Sequence, residues 1–99
     1  MATVYILYSN SIDKHYIGSC LDIDERLNEH NAHFHAVAFT KRATDWEIYY
    51  QYNNLEKEMA RKIESHIKKM KSKIYLQNLK RYPELMEKLI ASFSAGSYR

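Results

Sequence analysis

Glycine, proline and cysteine are almost missing from these 99 residues: Gly18, Gly96, Pro83 and Cys20 are the whole complement. Two glycines so far apart cannot form a phosphate-cradling glycine loop, and neither a G-x-S-x-G turn nor an H-E-x-x-H helix is present. One cysteine excludes an internal disulfide and a cluster of thiolate metal ligands, which fits a reducing compartment. Long apolar runs are absent too. No stretch reaches the roughly eighteen residues that would cross a membrane, and the N-terminus lacks the basic-then-apolar pattern of a secretory leader. The expectation is a soluble cytoplasmic protein with no membrane partner. Nor is the charge one-sided: lysine plus arginine exceed aspartate plus glutamate by 15 − 12 = 3, which permits a nucleic-acid partner without demanding one. There is no internal repeat, low-complexity tract or linker. A chain of this length carries one core, burying roughly 60 to 68% of the surface its unfolded form exposes.

Tyrosine, by contrast, is abundant, with nine in the chain. Val4 to Tyr8 and Tyr16 to Cys20 are short β-prone runs, and Asn10, Ser11, Asp13 and Lys14 between them have turn composition, so a hairpin is expected. Alternation puts Tyr5 and Leu7 on the face opposite Val4, Ile6 and Tyr8. Tyr5 and Tyr16 can then meet across the pair, either as ordinary packed rings or as two hydroxyls offered to one site. Asp22 to Glu25 has the form of a helix start, and a short helix is expected from Ile23 to Asn31, with Arg26 and His30 sharing a face at a spacing of four. His33 to Arg42 reads as a connector in which Ala36 to Phe39 plugs one edge of the core. Thr40, Lys41 and Arg42 are candidate phosphate contacts. His33 and His35 alone do not make a zinc site, because further ligands are missing.

Trp46 to Tyr52 reads as a third strand with imperfect alternation. Asn53 to Glu56 resembles a capping box opening the longest helix, expected over about Asn54 to Lys71 with a buried stripe of Leu55, Met59, Ile63, Ile67 and Met70. Glu64 lies beside that stripe, where it can reach a cleft between helix and sheet. Lys68 and Lys69 open a basic stretch that suits either the helix dipole or a nucleic-acid backbone. Ile74 to Leu79 is expected to be a short helical or irregular segment with Asn78 as a polar anchor. Pro83 suits the first turn of a last helix, docked by Leu85, Met86, Leu89, Ile90 and Phe93. This divides the chain into a domain over 1–93 and a flexible tail over 94–99.

Tyr5, Tyr16, Arg26, His30 and Glu64 are thus candidates for one place. A phosphodiester can be cut where a base activates water, a cation stabilises phosphate charge and a carboxylate holds magnesium, which takes only one or two protein carboxylates. A tyrosine base, with an ordinary pKa of about 10, needs its proton delivered elsewhere. Residue by residue, plainer roles also fit: Glu64 can pair with Lys68 for about 0.2–0.5 kcal/mol, and His30 can satisfy a local polar contact.

Taken together, these residues resemble the GIY-YIG endonuclease superfamily, particularly its small single-domain bacterial members and the N-terminal domain of excision-repair incision subunits. The first motif reads Thr3-Val4-Tyr5, with threonine in place of the leading glycine, and the second is intact as Tyr16-Ile17-Gly18. The likeness runs through Arg26, His30 and Glu64 and covers about Thr3 to Ile90. It implies an α/β fold, a small domain with a three-stranded antiparallel sheet flanked by helices, that hydrolyses DNA with a divalent ion, magnesium or alternatively manganese. By the same resemblance Tyr5 is the general base or water positioner, Tyr16 assists, Arg26 stabilises phosphate charge, Glu64 holds the ion, and His30 helps with the proton or the phosphate. Asn78 matches a later asparagine that contacts the site. The expected function is a DNA endonuclease of repair, recombination or structure-specific processing, compatible with a homodimer or a repair-protein partner. The alternative is a non-catalytic nucleic-acid-binding or adaptor domain that keeps the fold, with a protein-interaction domain behind it.

Overall fold

A computed structural model describes residues 1–32 and 40–96. Strands β1 (Ala2–Ser9), β2 (Lys14–Cys20) and β3 (Trp46–Leu55) form one antiparallel sheet in the order β2-β1-β3. Helix α1 (Ile23–Ala32) and a single 3-10 turn at Thr40–Arg42 lie between β2 and β3, and helices α2 (Lys57–Met70), α3 (Lys73–Arg81) and α4 (Pro83–Gly96) follow. The expected α/β architecture, a three-stranded antiparallel sheet flanked by helices, is therefore the observed one. No described helix is long and apolar enough to cross a membrane.

Being central and covered on both faces, β1 is buried along most of its length, and its alternation feeds two separate cores. Ala2, Val4 and Ile6 pack with Ala60, Ile63 and Ile67 of α2, Leu76 and Leu79 of α3 and Met86 of α4. Tyr5 and Leu7 point the other way and pack with Cys20, Ala43, Trp46, Tyr16, Ile48 and, from α1, Ile23 and Leu27.

Local chemistry sets the boundaries. The Glu25 amide donates to Asp22 Oδ1 at 3.1 Å to start α1, and the Tyr75 amide donates to Ser72 Oγ at 3.2 Å to start α3. Lys71 ends α2 in the left-handed region, at φ 48°. In the hairpin turn Asp13 has φ 50°, and its Oδ1 accepts the Tyr8 hydroxyl at 2.7 Å. Asp45 ties the turn to the start of β3, accepting from Ser9 Oγ at 2.6 Å and from the Ser11 amide at 3.0 Å.

Several expected boundaries move. The third strand runs on to Leu55, and α2 begins at Lys57 rather than near Asn54. The Asn53-to-Glu56 capping box does not form: Glu56 is the N-cap and makes no side-chain cap bond. Strand pairing wins there because Leu55 pairs with Ala2 and is buried, while Asn53 Oδ1 accepts the Thr3 hydroxyl at 2.9 Å. Leu55 thus joins the core from the sheet instead of opening the helix stripe. The imperfect alternation of β3 has its cause in register shifts between Ile6 and Leu7 and between Ala2 and Val4. Residues 73–81 form a full helix, and α4 continues past residue 93 to Gly96. His33, His35, the apolar run Ala36 to Phe39 and residues 97–99 lie outside the described residues.

Candidate active site

Tyr5 sits opposite Gly18 in the β1–β2 register, and Tyr16 opposite Leu7, so both rings lie diagonally on the face that α1 covers. Their centroids are 6.4 Å apart. A glycine is required at position 18 for space: a Cβ there would fall 2.5 Å from Tyr5 Oη and 2.6 Å from Cζ. Tyr5 consequently lies flat over its cross-strand partner and is 1% exposed. Burial, then the neighbouring Tyr16, push its hydroxyl well above the ordinary phenol range, and the Arg26 charge partly offsets this.

From the last turn of α1, His30 closes the site. Its Nε2 is hydrogen-bonded to Tyr5 Oη at 3.0 Å and its Nδ1 to Thr40 Oγ1 at 3.1 Å, and its ring is 5.1 Å from that of Tyr16. Burial, then Arg26, lower the His30 pKa below the ordinary histidine value, so the ring is neutral at pH 7. Arg26, one turn earlier, is partly exposed and pairs with Glu29 through Nε at 3.2 Å. Its charge acts on Tyr5, His30 and Cys20 together.

Glu64 arrives from the other side of the sheet. α2 covers the Val4 and Ile6 face, and β2, on which Ser19 sits, is an edge strand of the sheet. Ser19 is paired with Val4 and therefore faces α2; its hydroxyl donates to Glu64 Oε1 at 2.6 Å. Glu64 Oε2 pairs with Lys68 Nζ at 2.7 Å, and that ammonium lies 5.9 Å from the Tyr16 ring centroid. Tyr5 feels the Glu64 charge. Tyr5 and Tyr16 thus lie on the α1 face of the sheet, while Glu64 is bound to Ser19 on the α2 face and its Lys68 partner lies beside the Tyr16 ring.

Of the residues expected to take part, the structure brings together Tyr5, Tyr16, Arg26, His30, Glu64 and Lys68. Thr40, expected as a phosphate contact, lies in the interior. It is fully buried, its hydroxyl bonds to His30 and its carbonyl accepts the Trp46 indole N–H at 3.0 Å. Lys41 and Arg42 stay at the surface of the same turn. Lys69 lines a hollow between α2 and α4 with Lys62, Ser65, His66, Phe93 and Arg61, and of these only Arg61 also lines the hollow beside Ser19 and Arg26. Asn78 belongs to α3, where its carbonyl accepts the Tyr82 amide at 2.8 Å and its side chain makes no hydrogen bond among the described residues.

The scan against family models matches the GIY-YIG catalytic domain over residues 1–81. The chain belongs to the GIY-YIG family. Curated proteins and solved structures gave no match. Membership places the chain in a nuclease superfamily, and the matched span takes in every residue of the β2-edge cluster. Threonine at the leading glycine position of the first GIY-YIG motif is accommodated as ordinary strand, since Thr3 pairs with Cys20, is 6% exposed and has no positive φ.

Sequence reasoning missed Ser19, Lys57 and Arg61. The signal for Ser19 was available: period two sets it opposite Gly18 and Cys20, on the helix-facing side. Lys57, Arg61, Glu64, Lys68 and Lys71 recur at steps of four, three, four and three, a polar stripe beside the apolar one. Lys57 and Arg61 line a hollow with Ser19, Cys20 and Arg26, and Lys68 and Lys71 line another with Lys14 and His15. Cations therefore flank Glu64 on both sides along the α2–β2 seam.

Proposed function

We propose that this chain is a divalent-metal-dependent DNA endonuclease. The observation that carries the reading is the Tyr5–His30 bond at 3.0 Å, made on the face and at the edge where Tyr16, Arg26 and Glu64 also converge. In this reading Arg26 stabilises phosphate charge, and Tyr16 orients a phosphate or water oxygen by its hydroxyl. Tyr5 cannot act as a free phenolate, because burial holds its proton on. It can orient water and accept a proton only while passing its own to the neutral His30 beside it.

The residues present fit magnesium. Glu64 is a hard oxygen ligand whose Oε1 is oriented by Ser19, and among the described residues no group of three or more His, Cys, Asp or Glu could enclose an ion. Magnesium takes as few as one or two protein carboxylates, with water and phosphate oxygens completing its shell, so Glu64 is the residue that would hold it. Bound there, it would supply charge stabilisation at the phosphate. Along the strand, Lys57, Arg61 and Arg26 on one flank and Lys14, Lys68 and Lys71 on the other suit a phosphate backbone.

Incubation of the purified chain with branched, flapped and duplex DNA, with magnesium or with chelator, tests the reading. Metal-dependent cutting that Glu64→Ala abolishes is expected. DNA binding without any cutting, unchanged by Glu64→Ala, would instead support a nucleic-acid-binding domain. Engagement of both Glu64 oxygens by Ser19 and Lys68 is the observation that favours this second reading.

A further inference from the structure

Thr40 looks misplaced for its chemistry: a hydroxyl beside Lys41 and Arg42 in a basic surface turn, yet fully buried. The scaffold around it is tight. Asn31, at the end of α1, clips the Trp46 main chain from both sides, its Nδ2 donating to the Trp46 carbonyl at 3.0 Å and its Oδ1 accepting the Trp46 amide at 2.7 Å. Trp46 in turn donates its indole N–H to the Thr40 carbonyl at 3.0 Å. These bonds hold the Thr40 hydroxyl at His30 Nδ1 while His30 Nε2 meets Tyr5.

A neutral imidazole has one N–H and one lone pair, and the bond made by one nitrogen sets what the other can do. Here both nitrogens meet hydroxyls, so the stronger acid decides. Burial raises the Tyr5 hydroxyl, but it burdens ionisation of the Thr40 hydroxyl as well, and a phenol is intrinsically the stronger acid, hence the better donor and poorer acceptor, than an aliphatic hydroxyl. The favoured arrangement has Nδ1–H donating to Thr40 Oγ1 and Tyr5 Oη–H donating to Nε2. Only this tautomer lets Tyr5 pass its proton inward; the other turns Nε2–H on Tyr5 and blocks that route.

We infer that Thr40 is a positioning residue that holds His30 as its Nδ1–H tautomer and so aims a lone pair at the Tyr5 hydroxyl. This rests on the nuclease reading for its use. As water attacks phosphorus, its proton goes to Tyr5 Oη and the Tyr5 proton goes to His30 Nε2. The new oxygen–phosphorus bond forms as the bond to the leaving sugar oxygen breaks, and that oxygen takes a proton from solvent. The imidazolium then returns its proton through Tyr5. Among the described residues, the charged and titratable groups around His30 are Tyr5 from β1, Tyr16 from β2, and Arg26 and Glu29 from its own helix.

The first experiment needs neither DNA nor metal: a long-range nitrogen–proton correlation spectrum of the full chain with labelled histidine, His30 being assigned from the His30→Gln variant. Nδ1 should read as the protonated nitrogen in the wild type. In Thr40→Val the proton should move to Nε2, and Thr40→Ser should restore it. A wild-type Nε2–H, or no change in Thr40→Val, overturns the inference. Thr40→Ala is read in the same way should the valine variant fail to fold.

The second experiment is single-turnover cutting of DNA with magnesium. Thr40→Val should lose roughly 10- to 100-fold in rate, part of the 10²–10⁴-fold that acid–base groups supply, and Thr40→Ser should recover most of it. A tautomer change with wild-type cutting overturns the positioning role. A wild type that shows the Nδ1–H form and never cuts DNA defeats the nuclease reading and leaves Thr40's hold on His30 standing.

Discussion

The two faces of the sheet solve different problems. Under α2, α3 and α4 the buried residues are apolar: Ala60, Ile63, Ile67, Leu79 and Met86 close on Val4 and Ile6. Under α1 the buried set mixes Leu7 and Trp46 with Tyr5, His30 and Thr40, whose polar atoms bond to one another. No buried side-chain nitrogen or oxygen among the described residues lacks a partner. An unsatisfied buried polar group costs about 1–3 kcal/mol, so a polar face is tolerable only when complete. One face supplies stability through area; the other gives up some of that area to hold two hydroxyls and an imidazole in fixed order.

Substitutions on the two faces should therefore fail in different ways. The largest effect is expected for Tyr5→Phe and Glu64→Ala: loss of at least 100-fold in metal-dependent cutting, with DNA affinity measured in chelator within a few-fold of wild type. Cutting retained by Glu64→Ala would remove the carboxylate from the site. Next comes Ile63→Ala on the apolar face, which should cost about 2–5 kcal/mol in urea unfolding while leaving the rate per folded molecule near wild type. A small stability change would mean that the α2 face does not carry the fold.

Gly18→Ala joins the two currencies. Its Cβ would displace the Tyr5 ring, which is locked on the other side by His30, so about 1–3 kcal/mol of stability and much of the activity should go together. Normal cutting by this variant would show that Tyr5 can move freely. Acid offers a milder probe of the polar face. The His30 pKa is lowered in the folded chain, so the unfolded chain binds more protons as pH falls below about 6.5, and stability is lost from there downwards. His15, lowered mainly by burial, adds in the same direction. Ring resonances of His30 titrating at or above the ordinary value would contradict the burial argument.

The smallest effect concerns the seam between the faces. Lys57→Ala with Arg61→Ala should flatten the salt dependence of DNA binding by about 1.8, which is roughly 0.9 for each phosphate no longer neutralised. Lys69→Ala, in the hollow between α2 and α4, should leave the slope unchanged. Equal slopes for both variants would place the DNA elsewhere.

Much of this was legible in the chain. Tyr5 and Tyr16, separated by turn residues, announced a hairpin, and the i, i+4 relation of Arg26 and His30 gave them one helix face. The apolar steps through Ile63 and Ile67 located α2, and Glu64 beside them followed. Boundaries failed where two local signals competed: Asn53 to Glu56 reads as a cap, but Ala2 was there to pair with Leu55, and a local pattern cannot see a partner so far away in the chain. The burial of Thr40 was hidden for a related reason. Its neighbours Lys41 and Arg42 made it look like surface, whereas the Trp46 indole and the Asn31 clip draw it inward.

By itself, then, the sequence determined the elements, the candidate residues and the family, because these follow from composition, periodicity and motifs carried within short stretches. Only the tertiary structure decided that the tyrosines and Glu64 belong to opposite faces, with Lys68 between Glu64 and the Tyr16 ring at the edge strand. It also decided that Ser19 holds the carboxylate and Thr40 the imidazole. Those facts depend on which strand lies at the edge of the sheet and on how a turn folds back over it. Both are set by contacts between residues far apart in the chain, where hydrogen-bond satisfaction and shared burial outweigh local preference.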